Sequence, residues 1–165
     1  MSDETPTPSE VASPPEVVKK KKKKKSKRLL GFPGVINAQL SPLNDIQFFK
    51  DTYGADNFDI LLIATEDRRA AIVHIADGTV KVEQVKVKSE EFAAAKKRIK
   101  TRITTDTETF LKFGMGTVKP IPAILSGKLK IKNTLKVLHF KKYFGVIRHH
   151  KQQLKAAAAA AKPTE

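Results

Sequence analysis

The sequence predicts an α+β domain. Three strand-like runs follow one another between Phe58 and Val87, separated by polar turn signals. Two more runs with β character stand at Ile99 to Thr105 and Lys128 to Lys132. Segments with helical spacing and helix-capping residues flank and separate these runs.

The chain opens on Met1 to Val18, rich in Pro, Ser, Thr and Glu, a composition that predicts disorder. An unbroken lysine run follows, and residues 19 to 28 hold nine basic side chains and no acid. These are Lys19, Lys20, Lys21, Lys22, Lys23, Lys24, Lys25, Lys27 and Arg28, the candidates for binding an anionic surface. A solvated tail or import-type address, a tether to anionic lipid, and attraction to nucleic acid are all open readings of such a block. Leu29 to Leu40 is apolar, with two glycines and a proline. It either folds back onto the domain or dips Leu29, Leu30 and Phe32 into a membrane interface. Pro42 suits a first helical position, and Leu43, Ile46, Phe49 and Tyr53 carry a helix that stops at Gly54.

Phe58 to Thr65 is a nearly continuous apolar run, the mark of a strand buried on both sides. Residues 66 to 69 make a polar turn into the strand Ala70 to Ile75. Asp77-Gly78 signals a tight hairpin. The next strand carries Val80, Val82, Val85 and Val87, and its slipped alternation predicts a bulge near Glu83-Gln84. Ser89 caps a short helix with Glu90 and Glu91 in its first turn and Lys96, Lys97 and Arg98 in its last. Ile99 to Thr105 is β-branched, with Ile99 and Ile103 on one face and Lys100 and Arg102 on the other.

Asp106 is suited to accept hydrogen bonds from the free amides of a helix bearing Phe110, Leu111 and Phe113, and Gly114 and Gly116 end it. Pro120 and Pro122 lead into a brief apolar helix, Ala123 to Leu125. Lys128 to Lys132 alternates as a half-buried strand does. Asn133 tolerates a left-handed turn. Leu135, Val137, Leu138 and Phe140 open a last helix, which Gly145 weakens by about 1 kcal/mol relative to alanine. The alanines from Ala156 have nothing to bury and are expected to fray.

The stretch Phe110 to Gly116, Pro120 or Pro122, Ala123 to Leu125 and Ser126 to Ile131 resembles the sterol carrier protein type-two family of nonspecific lipid-transfer proteins. With the upstream strands the resemblance covers roughly Phe58 to Phe140, and Asn133 replaces the family's turn glycine. It implies a five-stranded, mostly antiparallel sheet covered by helices, with a lipid cavity between them. On that reading residues 1–28 are a tail, 29–150 the lipid-binding domain and 151–165 an Ala/Lys-rich tail. The residues expected to line the cavity are Phe110, Leu111, Phe113, Met115, Ile121, Ile124, Leu125, Leu135 and Leu138. Taken singly, each reads first as filled core, and it is the resemblance that favours a lipid lining for the group. The ligand implied is a sterol, fatty acid or acyl-CoA.

The formal net charge is +15 over 165 residues, which favours anionic partners, either membrane or nucleic acid. Cysteine is absent, so no disulfide or thiolate site exists. No apolar run is long enough to span a bilayer, the N-terminus is unlike a secretory signal, and the C-terminus lacks a peroxisomal Ser-Lys-Leu. An intracellular, cytoplasmic protein is expected. No cofactor fingerprint is present. Gly114-Met115-Gly116 lacks the Gly-Lys-Ser/Thr ending of a phosphate loop. His74 reads as a sheet residue, and His149-His150 as a surface pair rather than a metal site. No nucleophile, base and orienting group stand together, so a non-enzymatic role is expected. A lipid-binding and transport module, a nucleic-acid or ribosome-associated scaffold, and a regulatory partner of another enzyme are the functions the sequence allows.

Overall fold

The computed structural model describes residues 29–160, so the lysine run and the last five residues lie outside it. In chain order the elements are α1 (Phe32–Leu40), a 3-10 turn (Ser41–Asp45), α2 (Gln47–Tyr53), β1 (Phe58–Ala64), β2 (Arg69–Ala76) and β3 (Thr79–Lys86). There follow α3 (Glu90–Arg98), β4 (Thr101–Thr105), α4 (Thr107–Met115), α5 (Pro120–Leu125), β5 (Lys130–Lys132) and α6 (Thr134–Ala160). The five strands form one sheet in the order β3-β2-β1-β4-β5. Three of its pairings are antiparallel and β1 with β4 is parallel.

Both faces of the sheet are covered, and the sequence shows why. Ile60, Leu62 and Ala64 of β1 point with Ala71, Val73 and Ile75 of β2 into a large core shared with α1, α2, α4 and α6. Leu61, Ala70 and Ile72 point the other way, onto Phe92 and Ala95 of α3 and onto Ile99. The same division corrects the bulge expected at Glu83-Gln84. Pairing of β2 with β3 runs unbroken from Arg69↔Lys86 to Ala76↔Thr79. Val80 and Val82 serve the large core, whereas Val85 serves the small one. The alternation slips because the strand changes the face it buries, not because a residue is inserted. Ile99 likewise sits in the small core and Ile103 in the large one, so the two do not share a face.

Local chemistry sets the ends of the elements. Asp106 Oδ1 accepts from the Thr109 amide at 2.7 Å, and Ser89 Oγ from the Phe92 amide at 3.2 Å. Asp77 and Gly78 both have positive φ, 51° and 65°, as a two-residue hairpin turn requires. Gly116, with φ 77°, ends α4, and Asn133, with φ 65°, turns the chain from β5 into α6.

Leu29 to Leu40 takes the packed alternative: α1 lies on the sheet with Phe32, Ile36 and Leu40 buried. Its start is capped from afar, the Phe32 amide donating to Asp67 Oδ2 at 2.7 Å. The neighbouring Glu66 takes the Thr107 amide of α4 at 2.5 Å, and its carboxyl lies below the usual range chiefly because of the Thr107 side chain, with the amide adding to it. One turn thus caps two helices. The single helix expected from Pro42 to Tyr53 is broken at Ile46, whose backbone is extended. Asn44 holds the break by bonding both the amide and the carbonyl of Val80, at 2.7 and 2.9 Å. At the C-terminal end, α6 stays helical through Ala160 although its last residues are exposed.

Candidate functional site

The nine residues expected to line one cavity fall into separate places. Phe110 and Phe113 are fully buried. Phe110 packs edge-on against Phe32 and Phe144, with ring centroids 5.6 and 5.9 Å apart. Phe140 adds edge contacts to Tyr143 and Phe144 at 5.8 and 5.3 Å. These rings occupy the space between the sheet and α1, α4 and α6. Leu111 is half-buried at the side of α4. Met115, at the end of α4, borders a small recess of about 80 Å3 with Gln39, Phe144 and Arg148. The other five face solvent: Ile121 is 70 % exposed, Leu125 83 %, Leu135 82 %, Leu138 40 % and Ile124 36 %. The cause is geometric. α5 has only six residues, and Ala123 alone reaches the core. Leu129 fills the space beside it, and α6 turns Val137 and Phe140 inward instead of Leu135 and Leu138.

An open cavity lies elsewhere. It is an open groove of about 650 Å3 between the 3-10 turn with α2 on one side and α6 on the other. Ile46, Phe48, Gly145 and Val146 give it an apolar floor, and Lys142, His149 and His150 a basic rim, with Asp45, Gln47 and Gln153 completing it. Gly145 has open space where a side chain would stand, so it deepens the groove. The sequence carried two signals for this site. Phe48 lies outside the buried stripe of Ile46 and Phe49 and is 62 % exposed. His149-His150 is a surface pair, as expected, but a pair beside an apolar channel.

A second cluster joins α6 to the loop before β1. Asp56 Oδ2 accepts from Tyr143 Oη at 2.5 Å and lies 2.6 Å from His139 Nε2. Burial pushes the Asp56 carboxyl up, but the bonds from Tyr143 and His139 and the nearby Lys136 outweigh it and hold it below its usual range. Burial, and then the Asp56 carboxylate, drive the Tyr143 phenol far above its ordinary value, so it stays a donor. Tyr53 and Phe58 wall the His139 ring, and the Lys136 ammonium stands 4.6 Å from the Phe58 centroid. Among the described residues no three His, Asp or Glu side chains gather as metal ligands.

Charge is divided sharply along the chain. Residues 29–108 carry eleven basic and twelve acidic side chains, whereas 109–160 carry eleven basic and none acidic. Among the described residues no helix is long and apolar enough to cross a membrane.

No protein-family model matches the chain, and no curated protein sequence does. Solved structures do match. Sterol carrier protein 2 aligns at 17 % identity and a TM-score of 0.48, over 68 % of this chain and 92 % of that one. A conserved hypothetical protein from Thermus thermophilus aligns at 15 % identity and 0.49, over 73 % and 86 %. A double mutant of the sec-alkyl sulfatase PisA1 aligns at 12 % and 0.51, over 72 % of this chain but 16 % of that one. At these identities each likeness is one of fold alone, and of the three only the sulfatase alignment has a TM-score above 0.5.

Proposed function

We propose that this chain is a non-enzymatic lipid-binding protein that holds an amphiphile with an anionic head in the groove between α2 and α6 and passes it between membranes. The groove itself carries the reading. Its volume of about 650 Å3 lies within the usual range for small-molecule sites. Ile46, Phe48 and Val146 offer an apolar bed, where each buried methylene contributes about 0.8 kcal/mol. Lys142, and His149 with His150 about two turns further along α6, offer donors to a carboxylate or phosphate. Of the ligands that the resemblance implies, this favours a fatty acid or acyl-CoA over a sterol. The aromatic filling beneath the helices directs the ligand outward, to this open seat. The lysine run, outside the described residues, would add attraction to anionic membranes.

The test is a titration of the purified protein with a nitrobenzoxadiazole-labelled stearate, displaced by oleate, oleoyl-CoA or cholesterol. Saturable binding is expected, displaced by the acid and the thioester more readily than by the sterol. Gly145→Leu, which fills the groove, and Lys142→Glu, which reverses the rim charge, are each expected to weaken it about tenfold. Absence of saturable binding refutes the reading.

A second reading is favoured by the acid-free segment 109–160 together with the filled interior: a basic scaffold for nucleic acid or for a partner enzyme. Its mark is a salt-dependent gel shift that is lost when Lys19 to Arg28 are changed to glutamine.

A further inference from the structure

Ile121 and Leu125 of α5 are exposed among the described residues, and the charged residues that flank the helix in sequence are all lysines, of which Lys128 lies near Asp106. Ile121 and Leu125 are four residues apart and share one side of the helix. Both are exposed, as are Lys119 just before the helix and Lys128, Lys130 and Lys132 after it. Lys130 and Lys132 are alternate residues of β5, so they share one face of the sheet edge. From Lys119 to Lys142 the chain holds seven lysines and no acid. None of the four lysines around α5 makes an ion pair within the described residues.

We infer that α5 and the lysines beside it form a docking surface for an anionic bilayer. Charge complementarity requires a negative partner, and the apolar pair selects among negative partners. A nucleic-acid strand is held by cations and by aromatic rings on which bases stack. Residues 114–134 contain no aromatic side chain, and their large exposed groups are aliphatic. Exposed aliphatic side chains on a segment flanked by ammonium groups fit the boundary between headgroups and acyl chains, where the former enter and the latter meet lipid phosphates. Pro120 and Pro122 restrict the backbone of α5, so presenting Ile121 and Leu125 together costs little further ordering. The surface is separate from the groove, and docking does not depend on a ligand in it.

The chain lacks cysteine, so a single introduced cysteine labels one place. Ile124→Cys, and Lys81→Cys on the far edge strand as control, are labelled with nitrobenzoxadiazole in the full chain. Each is mixed with phosphatidylcholine vesicles, with and without 30 mol% phosphatidylserine. On the anionic vesicles the label at 124 is expected to shift to the blue and to be quenched by a spin-labelled lipid, while that at 81 does neither. In the unlabelled chain, Ile121→Ser with Leu125→Ser is expected to lower partition to those vesicles about tenfold, with the thermal melt unchanged. An unquenched label at 124 on a chain that still floats with vesicles overturns the inference and assigns attachment to another segment. So does full vesicle binding by the serine double variant, or binding only to a 30-nucleotide RNA. Loss of fatty-acid binding in Gly145→Leu leaves all these outcomes unmoved, which separates failure of docking from failure of the groove reading.

Discussion

Replacing Asp56 by alanine is expected to destabilise the domain by about 2–4 kcal/mol, because hydrogen bonds to a charged group are each worth about 1.5–3 kcal/mol. The substitution takes away the acceptor of two bonds, from Tyr143 Oη and from His139. Tyr143 is fully buried, so its hydroxyl is left without an acceptor. His139 is about one-third exposed, and water replaces part of its bond, which lowers the sum below two full contributions. Tyr143→Phe removes a donor without stranding one and should cost about 1 kcal/mol. In the double variant the two losses should not add, since Tyr143→Phe relieves the orphaned hydroxyl. Urea unfolding at pH 7, read by far-ultraviolet circular dichroism, measures all three. A loss under about 0.5 kcal/mol for Asp56→Ala, or strict additivity, would refute the reasoning. The sign of the pH dependence follows. The Asp56 carboxyl is held below its ordinary range, so its contribution is present at neutral pH and is lost as the pH falls through the folded value. Asp56→Ala should therefore lose less stability than the parent chain in the acid limb below about pH 4.

Phe110→Ala should cost about 3–5 kcal/mol, since it opens a void among fully packed rings; a chemical melt reads it directly. Gly116→Ala should cost about 1–3 kcal/mol, because φ is 77° there and the new methyl meets Arg148. Gly145→Ala, within α6 and with open space beside it, should instead stabilise by about 0.5–1 kcal/mol in a thermal scan. Ile121→Ser and Leu125→Ser should each change stability by no more than about 0.5 kcal/mol, because both side chains are already in water.

The features that were legible in the sequence are those decided by near neighbours. Asp106, Ser89, Asp77-Gly78, Gly116 and Asn133 act on amides or dihedrals within a few residues, and all five behave as their chemistry dictates. Features decided across the chain were not legible. Asp67 caps a helix 35 residues earlier, and Asp56 reaches a tyrosine 87 residues later. Val85 looked like a register fault because nothing local shows that α3 covers the second face of the sheet. The apolar run in α5 read as interior for a similar reason. Hydropathy reports what a residue favours, whereas a six-residue helix anchored by Ala123 leaves room for only one side chain inside. The groove has no local signature because it joins residues about 100 positions apart, Ile46 and Phe48 with Val146 and His149.

The outermost strands bear on how the protein behaves at high concentration. β5 is a mere three residues, Lys-Ile-Lys, and β3 at the opposite border carries Lys81, Glu83 and Lys86 outward. The short length of β5 and the charged side chains at both rims discourage a neighbouring chain from adding itself as a sixth strand. Fibril growth by added strands is therefore expected to be slow, even in a polypeptide whose β1 and β2 are largely aliphatic.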